Sequence, residues 1–318
     1  MVDVVSVGEI LVDMIPVDTD LYNMRFGGAP MNCAVACARL GLRVGAIAAV
    51  GDDPLGRFLF NTLEERGVDV SHVKRVKGKR TTIAFVVRLP HGEREFFFYR
   101  KPWLPTADTE LVLNEGDFEY VRGAKVLHVS GFAFSQEPAR SNILELVKYA
   151  HENNVKVSFD PTYRPDVWES EEVAREIYEK LISLSDIVLA TLREYEFILG
   201  TRDLRRIGME MRRRGVRLIG VKMGRRGGAL IRGERGCFME TYDVPVKDTV
   251  GAGDVWNAAV IYGYLRNRDL GDVLALANAV ASLKCMHVGA IEGVPTIDEA
   301  MDLIRRQSDI RPENLQLT

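Results

Sequence analysis

Short runs of Val, Ile and Ala recur along the chain without apolar–polar alternation, at residues 4–7, 44–50, 126–130, 155–160, 187–190 and 218–223. Continuous apolar runs of this length predict strands buried on both faces. Between them lie stretches with apolar positions at helical spacing, at residues 30–40, 56–66, 138–153, 171–184 and 204–214. Strand–helix alternation of this kind predicts right-handed crossovers and a mostly parallel sheet sandwiched by helices, a doubly wound α/β fold. The last third turns helical, over residues 254–266, 270–287 and 296–306.

Two segments break the rhythm. Residues 81–89 and 93–100 read as strands flanking the turn signal Pro90-His91-Gly92, which predicts an antiparallel hairpin. Residues 12–26 are irregular, with no clear helix after the first strand. The stretches at about 12–28 and 80–103 are therefore expected to build a small β lid beside the main sheet. The chain shows no internal repeat, low-complexity tract or Ser/Gly linker, so residues 1–318 are expected to form one main domain carrying that lid.

Composition narrows the function classes. The 318 residues are 47% hydrophobic and 27% charged, ordinary for a globular protein. Lys plus Arg number 42 against 45 for Asp plus Glu, a formal charge of −3 that argues against nucleic acid or anionic membrane as partner. The basic run Arg212-Arg213-Arg214 has no interleaved aromatics and reads as a solvated helix face. No apolar run reaches the ~18 residues of a membrane span. The N-terminal stretch carries Asp3, Glu9 and Asp13 and no basic leader, unlike a signal peptide. Cys33, Cys37, Cys237 and Cys285 are too few and too irregular for a disulfide framework, which makes a reducing cytoplasm the expected compartment. There is no GxxxxGK[ST] loop, and no HExxH or CxxC pair. A P-loop and a zinc site are thereby set aside.

The strongest local signal is Asp248-Thr249-Val250-Gly251-Ala252-Gly253-Asp254, which runs into the apolar helix WNAAVIYGYL. Two glycines opening onto a helix expose consecutive amides at the positive end of its dipole, a site for an anion. Asp254 reads in two ways: a carboxylate that stabilises a first helical turn, or an acid beside an anion hole that takes a hydroxyl proton during phosphoryl transfer. The second signal is Gly27-Gly28-Ala29-Pro30-Met31-Asn32 ahead of CAVACARLG. A diglycine admits close approach of a ligand, Pro30 suits a first helical turn, and Asn32 can bond hydroxyls.

Together, GGAPMNCAVACARLG and DTVGAGDVWNAAVIYGYL resemble the paired signatures of the ribokinase-like, phosphofructokinase-B-type carbohydrate kinases. VGEILVD, FFFYR, FDPTYR, VKMGRRGG and ANAVASL fall between or around them in that family's order. The resemblance implies a doubly wound α/β sandwich with a β lid, ATP with magnesium as phosphoryl donor, and a primary hydroxyl as acceptor. It assigns Asp254 as the base and Gly251, Ala252 and Gly253 as the anion hole. Asp13, Gly27, Gly28 and Asn32 would hold sugar hydroxyls. Lys222, where the family more often has Thr, would with Gly224 and Gly227 line the nucleotide loop, and Asn278 would stand near the adenine edge. Glu194 would hold a magnesium-bound water, and Asp248 a monovalent cation such as potassium.

Arg100 and Arg164 end motifs similar to those of fructokinases and 2-keto-3-deoxygluconate kinases. Arginine forks suit carboxylate or phosphate, so these two residues are either a clamp for a sugar acid or partners of ATP phosphates and nearby carboxylates. The Phe96-Phe97-Phe98 run reads as lid packing or as a homodimer contact through the lid. The expected function is transfer from ATP to a ketose or keto-sugar acid. A nucleoside or other small-alcohol kinase, a hydrolase on the same sheet, and a non-catalytic sugar-binding regulator are the alternatives.

Overall fold

The computed structural model describes residues 2–88, 94–101 and 103–317. Its first half runs β1 (Val2–Val7), β2 (Leu11–Pro16), β3 (Tyr22–Gly27), α1 (Ala29–Arg39), β4 (Val44–Gly51), α2 (Pro54–Glu65), β5 (Val68–Val76), β6 (Thr82–Arg88), β7 (Arg94–Phe98), α3 (Glu115–Arg122), β8 (Ala124–Ser130) and α4 (Ala139–Glu152). The second half runs β9 (Lys156–Asp160), α5 (Glu171–Ser183), β10 (Ile187–Thr191), α6 (Leu192–Leu199), α7 (Leu204–Arg213), β11 (Leu218–Lys222), β12 (Gly228–Arg232), β13 (Arg235–Met239), α8 (Ala252–Leu265), α9 (Leu270–Cys285), α10 (Ile297–Arg306) and β14 (Glu313–Leu315).

Among the described residues the large sheet has ten strands in the order β14-β13-β12-β11-β10-β9-β8-β1-β4-β5. From β11 to β5 every pairing is parallel, while β12, β13 and β14 extend the sheet antiparallel. Why the inner strands lack alternation is visible in β4: Val44, Ala46, Ala48 and Val50 join one apolar cluster, Ile47 and Ala49 the cluster on the opposite face. Helices α1, α8 and α9 contribute to the first cluster, α4 and α5 to the second.

The chain leaves β1 toward β4 and β5, then returns to β8 on the other side of β1. The β1/β8 boundary is therefore a topological switch point, where open α/β sheets form a crevice at the strands' carboxyl ends. Glu9, Asp160, Thr191 and Lys222 stand at or just past the ends of β1, β9, β10 and β11.

A second sheet orders β3-β2-β6-β7. Strands β6 and β7 pair antiparallel, as the sequence predicts; the turn Pro90-His91-Gly92 lies outside the described residues. The irregular 12–26 segment is a hairpin of β2 and β3, and β2 also pairs parallel to β6. Helix α8 is buried on every side from Val255 to Gly263, as befits a helix apolar all round. Its burial against α1 and α9 fixes the direction of its N-terminus.

Candidate active site

A cavity of about 550 Å³ lies at the carboxyl edge of the large sheet, between the small sheet and the start of α8. The structure brings Asp13, Gly28, Asn32, Arg164, Glu194, Lys222, Gly224, Gly251, Ala252, Gly253 and Asp254 onto its wall. Gly27, Arg100, Gly227, Asp248 and Asn278 are not on it. A larger depression of about 700 Å³, lined by Arg39, Arg66, His287 and Arg306, contains none of the residues singled out in the sequence.

Gly251 caps the N-terminus of helix α8, and its φ of 75° is left-handed. A Cβ there would lie 2.5 Å from the Ala290 carbonyl oxygen, so this turn requires glycine twice over. The first amides of a helix have no intrahelical acceptor. Gly251, Ala252 and Gly253 line the cavity here, with the Ala252 amide turned back onto the Thr249 carbonyl at 3.2 Å, so the Gly251 and Gly253 amides are the candidate anion donors. Asp254 follows in the same turn, half-buried on the cavity wall. Asn32 of α1 donates Nδ2–H to Asp254 Oδ2 at 2.7 Å, across 222 positions of sequence. Burial raises the Asp254 carboxyl to about 7, with the Asp160 charge adding to the rise and the Asn32 hydrogen bond, Lys222 and Arg164 opposing it.

At the small-sheet end, Asp13 on β2 is buried, and burial followed by the charges of Asp254 and Asp248 raises it to about 8. Gly27 faces it from β3: a Cβ there would come within 2.5 Å of Asp13 Oδ2. Gly27 thus makes room for the carboxylate without reaching the cavity itself. Glu9, which the sequence reading left without a role, also lines the cavity. Its Oε2 accepts from Ser130 Oγ at 2.5 Å, its Oε1 from the Ala29 amide at 3.2 Å, and burial raises it to about 8. Phe96, Phe98 and Phe132 supply an apolar wall. Arg164 holds its guanidinium carbon 5.4 Å from the Phe96 ring centroid.

Arg100 departs from the expected pair. Its side chain is fully buried away from the cavity, with Nε 3.0 Å from Asp108 Oδ2, Nη1 donating to Ser135 Oγ at 2.7 Å, and the Phe132 ring 4.3 Å beneath it. A buried guanidinium needs a carboxylate more than a substrate, and Asp108 is that carboxylate. Replacing Arg100 by Met leaves Asp108 buried and unpaired, which is expected to lower unfolding free energy by about 3–5 kcal/mol. Urea denaturation reads this loss. Unchanged stability with a raised KM for the acceptor would return Arg100 to the site.

At the far end, Lys222 Nζ lies 2.6 Å from Asp160 Oδ2, which also accepts from Asn257 Nδ2. Burial opposes the Lys222 charge, but the Asp160 carboxylate wins and holds its pKa above the ordinary value. Gly227 is a packing glycine, since a Cβ there would lie 1.9 Å from the Met239 carbonyl oxygen. Asn278, expected near the adenine edge, is buried off the cavity wall: it accepts from Trp256 Nε1 at 2.9 Å and donates to the carbonyls of Met239 and Glu240. Those bonds commit both of its N–H donors to the fold.

Glu194 closes a capping box with Thr191 through Oε2, while Oε1 accepts the Tyr163 amide at 3.0 Å. A carboxylate oxygen has two lone-pair sites, so Oε1 retains capacity for a metal-bound water. Among the described residues no cluster of three or more His, Cys, Asp or Glu could hold a metal ion directly. Asp248 accepts the amides of Val250 and Gly289, each at 2.8 Å. The Lys284 ammonium is bonded to the carbonyls of Asp248 and Val250 in the same loop where the cation was expected.

This geometry joins an amide-lined helix start, a nearby carboxyl, and a polar recess under a small sheet, an arrangement suited to moving a phosphoryl group onto an alcohol. Comparison with known proteins agrees. The model of the pfkB family carbohydrate kinases matches residues 1–297. Fructokinase-1 of Oryza sativa subsp. japonica is 32% identical over 325 residues, spanning 95% of this chain and 97% of that protein. The 5-dehydro-2-deoxygluconokinase of Shouchella clausii (strain KSM-K16) is 31% identical over 316 residues, spanning 96% of each. The crystal structure of fructokinase with bound ATP from Xylella fastidiosa superposes with a TM-score of 0.86 at 27% identity, over 96% of this chain and 99% of that one. No described helix is long and apolar enough to cross a membrane. By fold, cavity and kinship, this chain belongs to the pfkB family of carbohydrate kinases, phosphotransferases that act on a sugar.

Proposed function

We propose that this kinase transfers the γ-phosphate of ATP to a primary hydroxyl of a ketose, with fructose as the type acceptor. The observation that carries the reading is the 2.7 Å hydrogen bond from Asn32 to Asp254, which sets a carboxyl beside the 251–253 turn on one cavity wall. Asp254 takes the hydroxyl proton as general base, and the turn's amides stabilise the charge on the transferred group. Asp13, Gly28 and Asn32 orient the acceptor. Lys222, Gly224 and the exposed Arg225 line the nucleotide end. Magnesium held through water by Glu194 would screen phosphate charge there. The small sheet acts as a lid that excludes water and favours transfer over hydrolysis.

A keto-sugar acid is the second reading, favoured by the kinship to a 5-dehydro-2-deoxygluconokinase. The Arg100–Asp108 ion pair weighs against it, because only Arg164 of the expected arginine pair reaches the cavity. ADP release measured against fructose, 2-keto-3-deoxygluconate, other sugars and nucleosides separates these readings. The highest kcat/KM is expected for fructose. A preference for the acid, abolished in Arg164→Ala, would install the second reading; ADP release indifferent to every sugar would remove both.

A further inference from the structure

We infer that Lys284 supplies, as a built-in ammonium, the positive charge that a bound monovalent cation would otherwise place beside the anion turn, so the enzyme works without potassium. The inference rests on the reading of residues 251–253 as the anion site. Lys284 is the penultimate residue of α9, in a stretch otherwise dominated by Leu, Ala and Val, and its side chain is fully buried. Its Nζ donates to the carbonyl of Asp248 at 3.1 Å and to the carbonyl of Val250. A buried ammonium is costly unless several oxygens surround it. Main-chain carbonyls of one loop are the donor set that a weakly hydrated monocation also uses.

Two further features fix the ammonium in place. The amides of Lys247 and Asp248 donate to the Cys285 carbonyl at 2.8 and 3.0 Å, which ties the loop to the negative end of α9. The Asp248 carboxylate then braces the loop by accepting from Val250 and Gly289. A second monocation at the same carbonyls would meet a like charge at contact distance in a site closed to water.

The consequence runs through one peptide. The Val250 carbonyl that accepts from Lys284 belongs to the same peptide unit as the Gly251 N–H. Positive charge at the oxygen polarises that unit and strengthens its N–H as a donor toward an anion. Lys284 is therefore a positioning residue: it acts on the phosphate site through the backbone, without touching the cavity.

The test is cation dependence. For wild type, initial rates and melting temperature in potassium chloride are expected to match those in choline chloride at equal ionic strength, within about twofold in rate. Activation by potassium of about fivefold or more would overturn the inference, as would a potassium-specific rise in melting temperature, which needs no sugar acceptor. That thermal readout separates failure here from failure to find the acceptor. Lys284→Ala empties the position; its kcat in choline is expected to fall at least about tenfold and to recover substantially in potassium. Full activity of Lys284→Ala in choline would also overturn the inference. A folding defect in that variant leaves the wild-type cation series decisive.

Discussion

Asp254→Asn is expected to lose between about 10²- and 10⁴-fold in kcat while binding ATP as wild type does. The substitution keeps the shape and the hydrogen bond from Asn32 Nδ2, but removes the only function that a base performs. The pH profile gives a second handle. With the Asp254 carboxyl raised to about 7, the wild-type kcat/KM for the acceptor should rise with pH and level off above neutrality, because only the ionised form accepts a proton. That limb should vanish from the residual activity of Asp254→Asn. More than about a tenth of wild-type kcat in the variant would take the base role from Asp254. The sign for folding is opposite: a raised carboxyl pKa holds protons in the native state that the unfolded chain has released, so this group's contribution to stability falls as pH rises from near 4 to about 7 and stays lost above it.

Gly251→Val is expected to cost at least about 10²-fold in kcat/KM, with much of it in the KM for ATP, whereas Gly253→Ala should fold with wild-type stability. The contrast comes from backbone geometry. Gly251 sits at φ 75°, and its Cβ would meet a main-chain oxygen that cannot move aside. At Gly253 the nearest atom to a Cβ is Lys222 Cδ at 3.5 Å, an ordinary contact with a flexible side chain. Thermal melting separates a misplaced anion site from a protein that no longer folds. Equal tolerance at both positions would show that the turn does not depend on its left-handed residue.

How much was legible in the sequence depended on what each element must satisfy locally. Strands such as β4, β8 and β11 are buried on both faces and announce themselves as unbroken apolar runs. Strand β5 lies at a rim, its VDVSHVKRV half exposed, and so carries no such run. In β3, Tyr22, Asn23 and Met24 are exposed, which hid the β2–β3 hairpin behind an irregular composition. The site divides in the same way. Anion turn and diglycine are short-range patterns, and the structure brings Asp254 and Asn32 within hydrogen-bonding distance. What Arg100 and Asn278 do was decided by Asp108 and Trp256, partners that only tertiary packing supplies. Lys284 carried no signal at all: one lysine near a helix end reads as a capping charge until its burial is seen.

The rims of the large sheet carry a consequence for the protein's behaviour in solution. On one side β14 is only three residues long, with Glu313 and Asn314 exposed. On the other, β5 turns Asp69, Ser71 and Arg75 outward along its length. An unpaired strand is a template for another chain, and brevity and charge at both borders deny a neighbouring copy the flat apolar ribbon from which fibrils grow.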